Sequence, residues 1–152
     1  MLACCVIERS ARMRHQLTLP APTDGNGLRE TLIAYGMAVV LEISQPEVLA
    51  TYRLAIVEAE NAPDVALTIE RHGRVENADA LIGLLAAARD RGLLGGGEPA
   101  AMADLFQAVL MGGAILVRLL MRVAAPLTEA EARQRAEAAT RSLFRLYEGG
   151  GR

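Results

Sequence analysis

Apolar residues recur at helical spacing along nearly the whole chain. Nowhere does an apolar–polar alternation persist long enough to suggest a strand. In Leu2–Leu17 the residues Leu2, Val6, Met13 and Leu17 form one stripe, interrupted by Arg9. TLPAPTDGNG, residues 18–27, holds two prolines, an Asp-Gly and an Asn-Gly and predicts a loop. Leu28–Ile43 is apolar almost all round, which predicts a helix buried on more than one side. Ser44 and Glu47, with Pro46 between them, read as a capping box for a helix running to about Asn61. Tyr52, Ala55, Ile56 and Ala59 line one face of that helix and Leu54 and Val57 another, so it too is expected to be covered twice.

Pro63 opens a segment interrupted at Gly73 and resumed by Leu81, Ile82, Leu84 and Leu85 to about Arg91. One long bent helix or two abutting helices fit it equally. GLLGGGEP, residues 92–99, is a stop and a turn. Pro99–Arg122 is the most apolar helix, ended by Pro126. Thr128 and Glu131 make a second capping box, and the last helix runs to Glu148 before a frayed tail, 149–152. On that helix Glu129–Arg133, Glu131–Arg135 and Glu137–Arg141 are spaced for ion pairs on a solvated face. Ala132, Ala136, Ala139, Leu143 and Leu146 form the opposite stripe. Small residues there, and Gly112 and Gly113 in the preceding helix, suit close approach of another helix backbone. Glycine inside a helix costs ~0.5–1 kcal/mol relative to alanine, which close packing would offset.

A chain of 152 residues fits one domain with a real core. Its net charge of −2 argues against a strongly basic nucleic-acid surface. Cys4 and Cys5 are adjacent and point about 100° apart on a helix, so they form no disulfide framework and fit a reducing cytoplasm. The opening lacks the basic start and apolar length of a signal peptide. The uncharged run 105–117 is bracketed by Asp104 and Arg118 and is shorter than the ~20 residues a span requires, so a core helix is expected and no membrane.

Candidate chemistry is sparse. His15 and His72 are far apart with no clustered carboxylates or cysteines, so no metal or cofactor is expected. The glycine run lacks the Lys-Ser/Thr of a phosphate loop, and no serine sits in a nucleophile motif, so no catalytic residue is expected. Arg9, Arg12 and Arg14 read as a solvated face. What remains is polar groups on doubly covered helices. Tyr35, Arg53, Glu58, His72 and Phe106 are the candidate ligand-binding residues of a pocket with mostly apolar walls. For Arg53 a surface pairing with a carboxylate, and for His72 a helix-capping role, stay open as alternatives.

YRLAIVEAENAPDVA, residues 52–66, resembles the C-terminal regulatory domain of TetR/AcrR-family transcriptional repressors, of the AefR-like type. The matching positions are Arg53, Leu54, Glu58, Ala59 and Pro63, then Gly73, Arg91-Gly92-Leu93-Leu94, Glu98, Pro99 and Phe106, and the Ala/Arg-rich last helix. Ala62 stands where the family usually has an aromatic. The resemblance covers 28–148 and implies an all-α, TetR C-terminal-like bundle of about six helices. It implies a homodimer formed through the last two helices, for which Val109, Gly112, Gly113, Leu116, Ala136, Ala139 and Leu143 are the candidate interface residues. It further implies a small apolar or amphipathic ligand. DNA would be bound through a helix-turn-helix for which there is no room before residue 28, leaving 1–17 as a remnant of the connecting helix. A sensing domain without its DNA-binding head is therefore expected. A stand-alone helical protein that forms mixed dimers with a full-length relative, or a small membrane-associated helical protein, are the alternatives.

Overall fold

The computed structural model describes residues 2–121 and 125–148, with the side chains of residues 2–3 excluded. The expected inward face of Leu2, the helix end at Arg122 and the tail 149–152 lie outside the described residues. The elements are α1 (Leu2–Arg14) with a 3-10 turn (His15–Leu17), α2 (Gly25–Ile43), α3 (Pro46–Val57), α4 (Pro63–Thr68), a π-helical segment (Ile69–Val75), α5 (Glu76–Asp90), α6 (Pro99–Met111), α7 (Ala114–Leu120) and α8 (Glu129–Tyr147). No strand occurs among the described residues.

The centre of the bundle is the packing of α8 against α2 and α6. Ala132, Ala136, Ala139 and Leu143 recur on one stripe of α8, and all four are fully buried. On α2 the facing residue is Gly36, where an added Cβ would lie 2.9 Å from the Ala136 Cβ and 3.1 Å from Leu110 Cδ1. The small residues therefore serve close packing within one chain. Ala136, Ala139 and Leu143, expected at a partner interface, are instead covered by their own protomer.

α2 begins earlier than its apolar pattern suggests, because the Asp24 side chain accepts from Gly27 N at 2.7 Å and draws residues 25–27 into the helix. Leu28, Leu32, Tyr35, Val39 and Val40 form its buried face, and its other side is half-buried, as all-round apolarity implies.

The expected Ser44–Glu47 capping box does not form. Gln45 is the N-cap of α3, with Pro46 at the first helical position. Ser44 closes α2 instead: its hydroxyl donates to Leu41 O at 3.2 Å and accepts from Leu127 N at 3.0 Å, tying α2 to the approach to α8. α3 stops at Val57 rather than Asn61, and it is covered on one side only. Leu49 and Ala55 are buried, while Leu54, Ile56 and Val57 face solvent.

The interruption at Gly73 is a π-helical turn that joins α4 to α5 without a break in the chain's helical course. The helix expected over Pro99–Arg122 is two helices. Gly112 has φ +48°, a conformation L side chains rarely adopt, and α7 turns 53° away from α6. The Thr128–Glu131 capping box is present, with Glu131 N donating to Thr128 Oγ1 at 3.2 Å and Thr128 N to Glu131 Oε2 at 2.8 Å. The Thr128 N–H and hydroxyl, both donating to Oε2, hold the Glu131 carboxyl below its ordinary pKa. They also occupy the carboxylate expected to pair with Arg135, whose Nη1 donates to Met111 O at 3.4 Å. Arg133 approaches Glu137 rather than Glu129, at 3.9 Å, and Arg141 approaches Glu137 at 3.8 Å. Among the described residues no single helix is long and apolar enough to cross a membrane.

Backbone propensity and packing make opposite predictions at Gly36. Alanine favours a helix interior over glycine by ~0.5–1 kcal/mol, but overpacking costs ~1–3 kcal/mol. Gly36→Ala is expected to lower stability in urea denaturation, because the closer of the two clashes is with Ala136 Cβ, which cannot move unless α8 does, whereas Leu110 Cδ1 can turn aside. A rise in the midpoint would show that α2 and α8 are less closely packed.

Candidate functional site

The close α2–α8 seam leaves the opposite flank of α2 to be covered by α6, α7 and the π-helical segment, and there the bundle is not filled. A cavity of ≈ 300 Å³ lies between them. Tyr35, Val39 and Ile43 line it from α2, and Leu110 and Met111 from α6. Ile115 and Leu119 line it from α7, which reaches over because of the Gly112 turn. Ile69 and Gly73 supply the π-helical wall. A smaller void of ≈ 80 Å³ shares Met13, Ile43, Tyr52, Ile69 and Gly73 with it and extends to Cys5, Arg9 and Ser10 of α1.

The wall is apolar with a few polar groups. Tyr35 is almost fully buried and stacks on Phe106, with ring centroids 6.2 Å apart and planes at 25°. Burial pushes its phenol up to about 12, an effect the nearby Arg14 charge opposes. Burial also raises the Tyr52 phenol, with the Glu70 carboxylate adding to it. Glu70 and Arg74, both on the wall, engage each other, with Arg74 Nε 2.8 Å from Glu70 Oε1 and 2.9 Å from Oε2. That pairing lowers the Glu70 pKa. Asn77 is buried, and its Nδ2 donates to Gly73 O at 2.5 Å.

Two ion-pair clusters fasten α1 beside the cavity. Arg9 and Arg12 meet Glu42 of α2 at 2.6 and 3.3 Å. Arg14 meets Glu76 of α5 at 3.0 Å, and the same carboxylate lies 2.7 Å from His72 Nδ1. The His72 contact, with Arg14 assisting, holds the Glu76 carboxyl below its ordinary pKa. The three arginines read as a solvated face thus bind α1 to the body; Met13 is buried beneath them, with Val6 and Leu17 half-buried.

Of the ligand-binding candidates, only Tyr35 lines the cavity. Phe106 supports it from behind. Arg53 is spent on α7, its Nε donating to Leu119 O at 2.9 Å and its Nη2 to Arg118 O, which secures the end of the overlying helix. His72 faces Glu76, and Glu58 closes α3. Sequence reasoning passed over Asn77, Gln107 and Ile115 as wall residues. Asn77 carried one visible signal, a polar residue one helical turn after the Gly73 break. Of the interface candidates, Leu116, Gly112 and Gly113 are exposed and Val109 is half-buried. Among the described residues no three His, Cys, Asp or Glu side chains cluster as metal ligands do.

Residues 30–149 match the family model described as the AefR-like transcriptional repressor, C-terminal domain. The chain belongs to that family. Its fold also superposes on a crystal structure described as a TetR-family transcriptional regulator from Mesorhizobium loti MAFF303099, with a TM-score of 0.81 and 17% identity, covering 96% of this chain and 71% of that one. The flavonoid-responsive regulator FrrA gives a TM-score of 0.75 and 21% identity, covering 98% and 74%. At these identities the likeness is one of fold. No curated protein matches the sequence. The chain is thus an all-α regulatory domain of TetR-like type.

The Tyr35 phenol makes the cavity's dryness measurable. Its folded pKa of about 12 lies above the ordinary 10.0, so the folded state holds the proton more tightly. The contribution is present in full below pH 10 and is lost as pH rises through about 12, by ~3 kcal/mol at most. Unfolding free energies between pH 9 and pH 12 should fall less steeply in Tyr35→Phe than in the parent. Parallel curves would place the phenol in contact with water.

Proposed function

We propose that this domain senses a small apolar or amphipathic molecule held in the cavity between α2, α6, α7 and the π-helical segment, and that it does so as a homodimer. One observation carries the reading: in a repressor's regulatory domain, the bundle leaves ≈ 300 Å³ unfilled behind mostly apolar walls. A pocket of this kind suits an organic ligand, with a few polar groups setting its orientation. Responsiveness to flavonoids is a stated property of FrrA, a protein of the same fold, and is in keeping with an organic ligand here.

α1 is the output element of this proposal. It borders the smaller void through Arg9 and Met13, and it is pinned to α2 and α5 by the Glu42 and Glu76 ion pairs. A ligand that favours one placement of α1 over another would shift the balance between two states of the dimer. DNA contact would belong to a helix-turn-helix of a complete repressor, joined through this helix.

The dimer surface is proposed on α7, with the neighbouring end of α3. Leu116, Val117, Leu120 and Met121 are exposed there, the last two at 73% and 63%. So much exposed apolar surface on one short helix is unusual for a lone protomer.

Two measurements test these points. N-phenyl-1-naphthylamine fluorescence should rise saturably at one site per protomer, and Val39→Trp, which fills the cavity, should weaken that binding at least tenfold. Linear, unsaturable uptake would remove the pocket reading. Light scattering should give a dimer at micromolar concentration and a monomer for the double variant Leu116→Glu with Leu120→Glu at unchanged helicity. A dimer that survives both charges would place the interface elsewhere.

A further inference from the structure

The ≈ 300 Å³ cavity and the ≈ 80 Å³ void adjoin, and Met13, Ile43, Tyr52, Ile69 and Gly73 border both. Of these five, Tyr52 spans the division. It rises from α3, and its hydroxyl comes within 4.0 Å of the position a Cβ would take on Gly73, in the π-helical wall. Burial and the Glu70 charge are what raise that phenol, and no hydrogen bond holds it among the described residues. Packing alone keeps the ring across the gap, so turning it aside breaks no polar contact.

The smaller void is too small for an organic ligand of its own. It offers roughly half of the ~150 Å³ that takes up one benzene molecule. It is an extension, and it leads under α1. Val6 and Ser10 of α1 and Val48 and Thr51 of α3 line it and do not line the larger cavity. On the same scale the larger cavity takes about twelve carbon atoms, and the two together about fifteen. Neither compartment leaves a buried charge to be matched: Glu70 is paired with Arg74, Arg9 with Glu42, and Glu47 is exposed. A charged ligand would meet the same desolvation that raises the phenols of Tyr35 and Tyr52.

We infer that Tyr52 is a movable crossbar between two compartments of one pocket, and that the ligand is an uncharged, elongated, mostly apolar molecule that passes it to lie partly under α1. The inference rests on the pocket reading above and adds the ligand's shape and the residue that selects for it. A compact molecule fills the larger cavity alone and leaves Tyr52 in place. A longer one turns the ring and gains contact with Val6 and Val48. Only the longer molecule reaches α1 beyond Met13, so length decides which ligands act on that helix.

The probes are 4-ethylphenol, 4-hexylphenol and 4-octylphenol, one ring with a lengthening chain, followed at pH 7 by displacement of N-phenyl-1-naphthylamine. Affinity should rise about fourfold per methylene across the whole series, so that the octyl compound exceeds the hexyl by about fifteenfold. Thr51→Phe fills the smaller void from a half-buried position on α3. It should leave 4-ethylphenol within about twofold and cut the hexyl-to-octyl gain below about threefold. Tyr52→Leu, which shortens the crossbar, should raise the octyl-to-ethyl affinity ratio about threefold, the cost of turning the ring being removed. One readout needs no variant: nuclear Overhauser contacts from bound 4-octylphenol should reach the methyls of both Val48 and Ile115, and those from 4-ethylphenol Ile115 alone. A series that levels off at hexyl in the unaltered protein would overturn the inference and leave the pocket intact. So would a full octyl gain in Thr51→Phe, an unmoved ratio in Tyr52→Leu, or no contact to Val48. If none of the phenols displaces the dye at millimolar concentration, the pocket reading fails along with the inference.

Discussion

The approach of α2 to α8 at Gly36 and Ala136 sets the rest of the architecture. With 2.9 Å between the Ala136 Cβ and the place a Gly36 Cβ would take, neither position tolerates a larger side chain without moving a helix. The seam draws Leu110 of α6 into the same contact, so three helices meet at one point. Tyr35 is the neighbour of Gly36 in sequence and stacks on Phe106 of α6, so the cavity wall begins one residue away from the seam. The bundle is close-packed on the α8 side and open on the other.

That asymmetry separates a fixed floor from a yielding wall. The floor is α2, closed at one end by Asp24 and at the other by Ser44, whose hydroxyl reaches Leu127 near the start of α8. The wall is made of irregular pieces. α7 is a short helix hung from a positive-φ glycine and secured by Arg53, and the Ile69–Val75 segment has π-helical winding. π-helical turns often mark functional positions, because widening the helix leaves carbonyls to be satisfied by side chains. The Asn77 side chain donates to Gly73 O within this stretch. α1 lies against this wall, so whatever fills the cavity acts on the element placed to transmit a change.

Helical periodicity made the fold class legible, and the family was legible in a handful of positions: Arg53, Glu58, Pro63, Gly73 and Pro99. The Thr128–Glu131 box was readable because capping is local chemistry. Ser44–Glu47 misled because the same local pattern was overruled by a tertiary bond to Leu127. The alanine stripe of α8 indicated close packing correctly, but a periodic stripe does not say whether its partner is the same chain or another. Gly112 and Gly113 were read as a packing surface when one of them supplies a turn. The site was less legible than the fold. Tyr35 was identified because an aromatic with a polar tip on an all-apolar helix is conspicuous. Asn77 and Gln107 sit in ordinary helical surroundings, and only the tertiary arrangement brings them to one wall.

The central claim is that the ligand's free energy is expressed at the π-helical wall while the α2–α8 seam holds still. Amide hydrogen exchange with and without saturating N-phenyl-1-naphthylamine tests it directly. Residues 69–75 and α1 should exchange faster than α2 and α8 in the free protein and should gain protection on binding, with residues 32–40 and 132–143 unchanged. Protection that rises uniformly across α2 and α8, with none at 69–75, would contradict the account.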